Sequence, residues 1–162
     1  MIPLARTGST AAFLVDVGGA LVSPLRQERF ATMTPGDRRQ LVWLTSNEPP
    51  GLYCADETDP VALLTCSQVV ESLYGYQPGG AAVIPSLAER CAPNPALTVW
   101  TCTLRSGVTF HDGSRLDAGD VLTSFAVQWN AEDPRHLGRT GTFPTFGAWF
   151  GGFLNAPATP GG

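Results

Sequence analysis

Two groups of residues in this 162-residue chain have types and spacing that chemistry could use. His111 is followed directly by Asp112, and such a pair can transfer protons. Asp56, Glu57 and Asp59 bring carboxylates together, as a calcium site does. Alternatively, either group could have a purely structural role.

The surrounding sequence favours structural roles for both groups. His111-Asp112-Gly113 is typical of a tight turn, because glycine tolerates positive φ and the aspartate can accept backbone hydrogen bonds. The acidic group lacks the spacing and the glycine of an EF-hand, so we expect a solvated loop or helix capping there. The sequence contains no G-x-S-x-G, Walker A or dinucleotide fingerprint. We therefore expect no catalytic residue, no cofactor and no metal.

Composition and charge narrow the classes of function. The length suits one domain with its own core, and charged residues make up only 15% of the chain. A net charge of −4 argues against a nucleic-acid partner, which requires a basic face. Asp16 interrupts the apolar stretch at 11–22, so we expect a strand there rather than a signal peptide. No apolar run is long enough to span a bilayer.

Periodicity predicts a hairpin followed by a helix in the second half of the chain. Residues 97–104 alternate in the manner of a half-buried strand. Asp117 and Asp120 have the spacing of a helix N-cap and an acidic third position, and the helix should end before Pro134. Its apolar face comprises Val121, Leu122, Phe125 and Trp129.

Shorter elements are predicted upstream. We expect strands at 10–23 and 40–45, with a turn at 34–37 between them. A helix should begin at Asp59-Pro60, and helical spacing predicts one buried face, formed by Ala62, Cys66, Val69, Val70 and Leu73. We expect the chain to comprise three parts. These are a strand segment at 1–36, a main segment at 37–155 and a disordered tail at 156–162.

The central part of the chain resembles the family 5 solute-binding proteins of ABC transporters, the peptide- and nickel-binding class. That family shows P-x-L-A-E, then L-R-x-G-V-x-F-H-D-G, then an acidic stretch that opens a helix with D-V. The matching residues are Pro85, Leu87, Ala88, Glu89, Leu104, Arg105, Gly107, Val108, Phe110, His111, Asp112, Gly113, Asp120 and Val121. The resemblance is close over 38–130 and looser over 10–30, which is similar to the family's closing segment. This order implies a fragment of a longer, rearranged chain, or else an arbitrary N-terminal extension.

The resemblance implies a fold and a function. The fold is α/β, a mixed sheet with flanking helices that forms part of one lobe of a periplasmic-binding-protein-like (type II) fold. The function is capture of a peptide or similar small solute outside the cytoplasm for delivery to an ABC permease, without enzymatic activity. The missing lobe or a second chain would complete the cleft. An interaction or sensor module and a cytoplasmic regulator remain open as alternatives.

The family also implies where the ligand binds. The loop after its first strand borders the cleft, and here that loop contains Asn47, Glu48, Pro50, Leu52 and Tyr53. The Glu48 carboxylate could pair with the positive group of a peptide or lie in solvent without a role. The aromatic residues Phe143, Phe146, Trp149, Phe150 and Phe153 could pack in the core or line a face between lobes.

The cysteines are interpreted with the same resemblance. Relatives carry aromatic residues where Cys91 and Cys102 stand, which implies that a packed cross-strand contact has become a disulfide. Counting back from the turn at 92–97 places the two cysteines opposite each other, which leaves Cys54 and Cys66 to pair. Disulfides imply an oxidising compartment, whereas buried free thiols are the alternative.

Overall fold

The computed structural model describes residues 11–150, which combine short helices with two β-hairpins. This confirms the predicted α/β composition. A 3-10 turn at Phe30–Thr32 precedes the other elements, which are α1 (Pro60–Cys66), β1 (Tyr74–Tyr76), β2 (Val83–Pro85), β3 (Ala88–Pro93), β4 (Trp100–Leu104), α2 (Ala118–Trp129) and α3 (Pro144–Phe150). Over the described range, none of the helices has the length and apolarity to cross a membrane.

The hairpin β3–β4 is the predicted one. Its strands pair antiparallel with Cys91 opposite Cys102, and a bulge lies between Ala88 and Arg90. The side chain of Asn94 closes the turn, because its Oδ1 accepts hydrogen bonds from the backbone N–H groups of Thr98 and Val99 at 2.9 and 3.2 Å. The local sequence therefore determines both strands and their register.

The second hairpin pairs β1 with β2, with Gly75 opposite Ile84. The two hairpins form separate two-stranded sheets, and every pairing in the described residues is antiparallel. The predicted mixed sheet would need parallel neighbours, and parallel strands require a long crossover connection. The short links between these strands favour antiparallel pairs instead.

Helix α1 begins as predicted and ends earlier than predicted. The Asp59 side chain caps it by accepting hydrogen bonds from the N–H groups of Val61 and Ala62 at 2.8 and 3.1 Å. The helix stops at Cys66 because the chain turns there and the side chain of Gln68 bonds to another segment, accepting from the Phe30 N–H at 2.9 Å. The predicted buried face therefore ends with the helix, and Val69 and Val70, which lie after it, are exposed.

The predicted strands at 10–23 and 40–45 are not formed in the described residues. Residues 11–23 contribute only an isolated bridge between Gly18 and Thr34, and 40–45 is irregular. The Trp43 ring instead packs on Phe30, with ring centroids 5.0 Å apart. A short apolar run forms a strand only where a neighbouring strand satisfies its backbone groups. The tail predicted to be disordered at 156–162 lies outside the described residues.

Helix α2 has the predicted start. The Asp117 side chain accepts from the Gly119 and Asp120 N–H groups, and the Asp120 side chain accepts from the Asp117 N–H at 2.9 Å, which completes a capping box. The helix ends at Trp129, ahead of Pro134, as expected. Its predicted apolar face is largely in solvent, since Leu122 is 70% exposed and only Val127 of this helix is buried.

The buried apolar residues are few in the described part of the chain. Three of them, Ala62, Leu64 and Cys66, belong to α1, and Phe143 and Phe146 lie at the start of α3; the others are Met33, Ala88 and Val127. Phe146 packs on Phe150 with ring centroids 4.9 Å apart. Core packing of the aromatic cluster is thus confirmed for Phe143 and Phe146, whereas Trp149 is 79% exposed. Phe153 lies outside the described residues.

Candidate functional site

The loop expected to border a ligand cleft lies at the surface. Asn47, Glu48, Pro50 and Leu52 are all exposed. Tyr53 is anchored, because its hydroxyl donates to the Arg135 carbonyl at 2.7 Å. The structure therefore fixes the end of this loop and leaves the other four side chains available to solvent.

The anchoring of this loop depends on a buried carboxylate. Asp56 is 1% exposed and accepts hydrogen bonds from the backbone N–H groups of Thr140, Gly141 and Phe143 at 2.7, 2.9 and 2.9 Å. The Thr140 hydroxyl adds a further donor at 2.7 Å. Burial alone would raise the pKa of Asp56, but these hydrogen bonds outweigh it and hold the pKa below the usual aspartate value. We call the contact between Asp56 and residues 140–143 the Asp56 latch.

Glu57 supports the same contact. It is buried, and its Oε2 lies 3.3 Å from Nη2 of Arg139 in an ion pair. The expectation of a solvated acidic loop is therefore wrong for Asp56 and Glu57, because loop 135–143 folds over both carboxylates and supplies their partners. The capping role expected of Asp59 is confirmed.

A histidine that the sequence did not single out also holds this loop. The ring nitrogens Nδ1 and Nε2 of His136 lie 2.7 and 2.9 Å from the carbonyl oxygens of Val127 and Gly141. The ring also packs on Phe143, with centroids 4.0 Å apart. His136 therefore links the end of α2 to the segment that carries the Asp56 latch.

The His111-Asp112 pair is a turn, as expected. The Asp112 carboxylate accepts from the backbone N–H and the hydroxyl of Ser114 at 2.9 and 2.7 Å. Gly113 has a φ of 86°, which glycine adopts without strain. The Ser114 hydrogen bonds hold the pKa of Asp112 below its usual range. The role of the pair is thus structural, since it stabilises a backbone turn.

Both predicted disulfides are present. Cys91 is bonded to Cys102 across the β3–β4 hairpin, and Cys54 is bonded to Cys66 with Cα atoms 5.6 Å apart. The second bond ties the end of the 47–53 loop to the last turn of α1. It also forms part of the wall of a neighbouring hollow.

In the part of the chain that the structure describes, two hollows lie next to residues 67–71, directly after α1. The smaller, which we call the Tyr74 hollow, has a volume of about 300 Å³ and an apolar wall that includes Leu63, Val70, Tyr74 and Tyr76. The larger, which we call the Phe110 hollow, has a volume of about 860 Å³ and is lined in part by Val108, Phe110, His111 and Leu116. Both volumes fall in or near the range of small-molecule sites, roughly 300–1,000 Å³.

Two residues of opposite charge line both hollows. Arg29 is half-buried, and its Nη1 donates to the Ser67 carbonyl at 3.0 Å. Glu71 is exposed, and its Oε2 accepts from the Ser86 hydroxyl at 3.1 Å. Among residues 11–150, neither side chain takes part in an ion pair. The sequence did not indicate this pair, because only tertiary structure brings the two positions to one hollow.

The expected loop does not line these hollows. None of Asn47, Glu48, Pro50, Leu52 or Tyr53 contributes to either, although Cys54, the next residue, lines the Tyr74 hollow. The exposed 47–53 loop and the two charged hollows are therefore separate features of the surface. The disulfide of Cys54 lies between them.

Comparison with known proteins finds a family match in the second half of the chain. Residues 82–143 match the family described as bacterial extracellular solute-binding proteins, family 5 Middle. Over this segment, the chain is similar to the family 5 extracellular solute-binding proteins. The segment includes the β3–β4 hairpin, the His111 turn and α2, so the resemblance expected from those residues is confirmed.

Similar proteins extend the match towards the N-terminus. The dipeptide-binding protein of Escherichia coli (strain K12) is 30% identical over 119 residues, which cover 67% of this chain and 22% of that protein. The di/tripeptide-binding protein 4 of Pseudomonas aeruginosa (strain UCBPP-PA14) is 34% identical over 105 residues, covering 60% of this chain and 19% of that protein. The di/tripeptide-binding protein 2 of the same strain is 37% identical over 71 residues, or 40% of this chain and 13% of that protein.

The chain thus spans about a fifth or less of the length of these curated relatives. No solved structure matches it significantly. These relatives are named as dipeptide- and di/tripeptide-binding proteins.

Proposed function

We propose that this chain serves in the substrate-binding component of an ABC transporter and binds short peptides or similar extended solutes for import. The observation that carries the proposal is the family match over residues 82–143, together with relatives named for binding dipeptides and tripeptides. The relatives are several times longer, so other parts of such a protein would complete the cleft and contact the permease. Closure of two lobes around a ligand would then exclude water and strengthen its polar contacts.

The exposed 47–53 loop is the proposed border of that cleft. The Asp56 latch and the Tyr53 hydroxyl hold its end in place, which favours a defined surface at little entropic cost on binding. The Glu48 carboxylate would pair with a positive group of the ligand.

The proposed location is outside the cytoplasm. The family is described as extracellular, and all four cysteines are paired in disulfides, which persist in oxidising compartments. Reduced cysteines in the cell would instead support a cytoplasmic regulator.

A thermal melt with dipeptides and tripeptides tests the proposal. Ligand binding to the folded chain should raise the melting temperature with concentration. Glu48→Gln should weaken the effect of a lysine-containing peptide, whereas Glu132→Gln, also exposed and outside the loop, should not. No shift with any peptide at millimolar concentration would contradict the proposal for this chain.

The exposed apolar side chains favour a second candidate, an interaction or sensor module. Leu122 and Trp149 are largely in solvent, and large exposed apolar patches mark docking surfaces. A concentration-dependent dimer that Trp149→Ser disrupts, with no peptide binding, would favour this candidate over solute capture.

A further inference from the structure

We propose that the Cys91–Cys102 disulfide is a site of thiol–disulfide exchange, which a protein carrying a dithiol can reduce while the chain stays folded. A sulfur atom takes part in such an exchange only where the attacking thiolate can reach it. The two disulfides of the chain differ in this respect, because Cys102 is exposed whereas Cys66 is only 4% exposed. An exchange site of this kind is a property of the chain separate from peptide binding.

The hairpin disulfide lies at the surface. Cys91 and Cys102 face each other across β3 and β4, and Cys91 is half-buried. Trp100 lies two residues before Cys102, on the same face of β4, and is 62% exposed. A thiolate can therefore approach the Cys102 Sγ from solvent.

The other disulfide is shielded from a protein. Cys66 is buried in the last turn of α1, and Cys54 is half-buried. Both line the Tyr74 hollow, whose volume of about 300 Å³ admits a small thiol but not the surface of a protein. The Asp56 latch holds the backbone next to Cys54, so a protein can reach this bond only when the chain opens locally.

Strand β4 also offers a partner an open edge next to the reactive sulfur. The Cys91 N–H donates to the Tyr74 hydroxyl at 2.7 Å rather than to β4, so Cys91 and Cys102 form a non-hydrogen-bonded pair of the ladder. The N–H and C=O of Cys102 therefore point away from β3, and no third strand pairs with β4 in the described residues. An extended segment of a partner can pair with these groups, which brings a thiol on that segment close to the Cys102 sulfur.

The reductant supplies two electrons in two displacement steps. Its thiolate attacks the Cys102 Sγ, the bond to Cys91 breaks, and the Cys91 sulfur leaves as a thiolate that takes up a proton from water. The second thiol of the reductant, deprotonated, then attacks the reductant's own sulfur in the mixed disulfide, and the Cys102 sulfur leaves and is protonated. Cys91 and Cys102 end as thiols, and the reductant ends as a disulfide.

Other contacts keep the hairpin in place after reduction. The side chain of Asn94 closes the turn at one end, and at the other end the Arg105 N–H donates to the Leu87 carbonyl at 2.8 Å. The Tyr74 hydroxyl holds the Cys91 N–H from the next hairpin. Reduction therefore lowers the stability of the chain without separating the two strands.

Reduced thioredoxin, a protein with a Cys-X-X-Cys dithiol, tests the proposal on the unmodified chain. Thiols that appear with time are alkylated with iodoacetamide and located by peptide mass spectrometry. We expect Cys91 and Cys102 to be alkylated together, at least about tenfold faster than Cys54 and Cys66, because a shielded bond reacts only in the open fraction of the chain. Circular dichroism should show that the selectively reduced chain keeps its fold.

Two double substitutions serve as a matched pair. Cys54→Ser with Cys66→Ser leaves only the hairpin bond, which should be reduced at the rate measured in the unmodified chain. Cys91→Ser with Cys102→Ser leaves only the Cys54–Cys66 bond, which should stay oxidised over the same time. A thioredoxin whose second cysteine is replaced by serine should be trapped as a mixed disulfide on Cys102.

Three results would overturn the proposal. The first is alkylation of Cys54 and Cys66 as fast as that of Cys91 and Cys102, and the second is no alkylation of either pair. The third is a chain that unfolds as soon as the hairpin bond is reduced. A mixed disulfide trapped on Cys91 would overturn the assignment of Cys102 as the sulfur that is attacked.

Discussion

The carboxylate of Asp56 accepts a hydrogen bond from the backbone N–H of Phe143 at 2.9 Å, across 87 residues of sequence. This contact joins the end of the 47–53 loop to the segment that leads into α3. Because the carboxylate is almost fully buried, its hydrogen bonds must all be made within the protein. The Asp56 latch is therefore a long-range polar contact that holds the end of the 47–53 loop, and three predictions test it.

Asp56→Asn should destabilise the fold. An amide keeps the size of the side chain but turns one acceptor into a donor that faces backbone N–H groups. We expect a loss of about 1–3 kcal/mol in the free energy of unfolding, measured by urea denaturation. Asp37→Asn, at an exposed position with no described side-chain hydrogen bond, serves as the control and should change little. Equal effects of the two substitutions would contradict a special role for Asp56.

The same carboxylate should make stability depend on pH. Its pKa is lower in the folded chain than the ordinary 3.8, so its contribution is fully present above that value and is lost as the pH falls through the lower folded pKa. Unfolding free energies measured from pH 5 down to pH 2 should therefore fall more steeply for the unmodified chain than for Asp56→Asn. Parallel curves would show that this group does not titrate as described.

Gly138 should be less tolerant of a side chain than Gly141. Both have positive φ, 102° and 67°, so alanine is disfavoured at either position. A Cβ on Gly138 would also lie 2.8 Å from the Cβ of Asp56, whereas a Cβ on Gly141 would meet nothing within 4 Å. Gly138→Ala should thus lower the denaturation midpoint by clearly more than Gly141→Ala. The reverse order would mean that the loop does not pack on Asp56 as described.

The hairpin disulfide should contribute measurably to stability. Replacing both Cys91 and Cys102 with Ser should cost roughly 2–4 kcal/mol in the free energy of unfolding, because the open chain is no longer constrained. The double substitution avoids a single unpaired thiol and keeps the turn held by Asn94. A change well under about 1 kcal/mol would contradict a stabilising role for this bond.

Local features of this structure were predictable from the sequence, and long-range ones were not. The caps at Asp59 and Asp117 and the opposition of Cys91 and Cys102 depend on residues within about a dozen positions of one another, so spacing was enough to predict them. The early end of α1 depends on Gln68 contacting Phe30, and spacing cannot reveal such a partner.

The candidate site also combines features that the sequence predicts with features that only the tertiary structure creates. The 47–53 loop was assigned through family resemblance, whereas the buried state of Asp56 and the shared position of Arg29 and Glu71 arise only when distant segments meet. Acidic residues in a polar loop look solvated when nothing nearby in sequence offers them a donor. Here the donors come from residues 139–143.

Native mass spectrometry of the purified chain, with and without a pool of short peptides, tests the central claim most directly. We predict a discrete adduct with the mass of a dipeptide or tripeptide on the folded chain, which unlabelled competing peptide displaces. A folded chain that carries no peptide adduct at any concentration of the pool would contradict peptide binding by this chain.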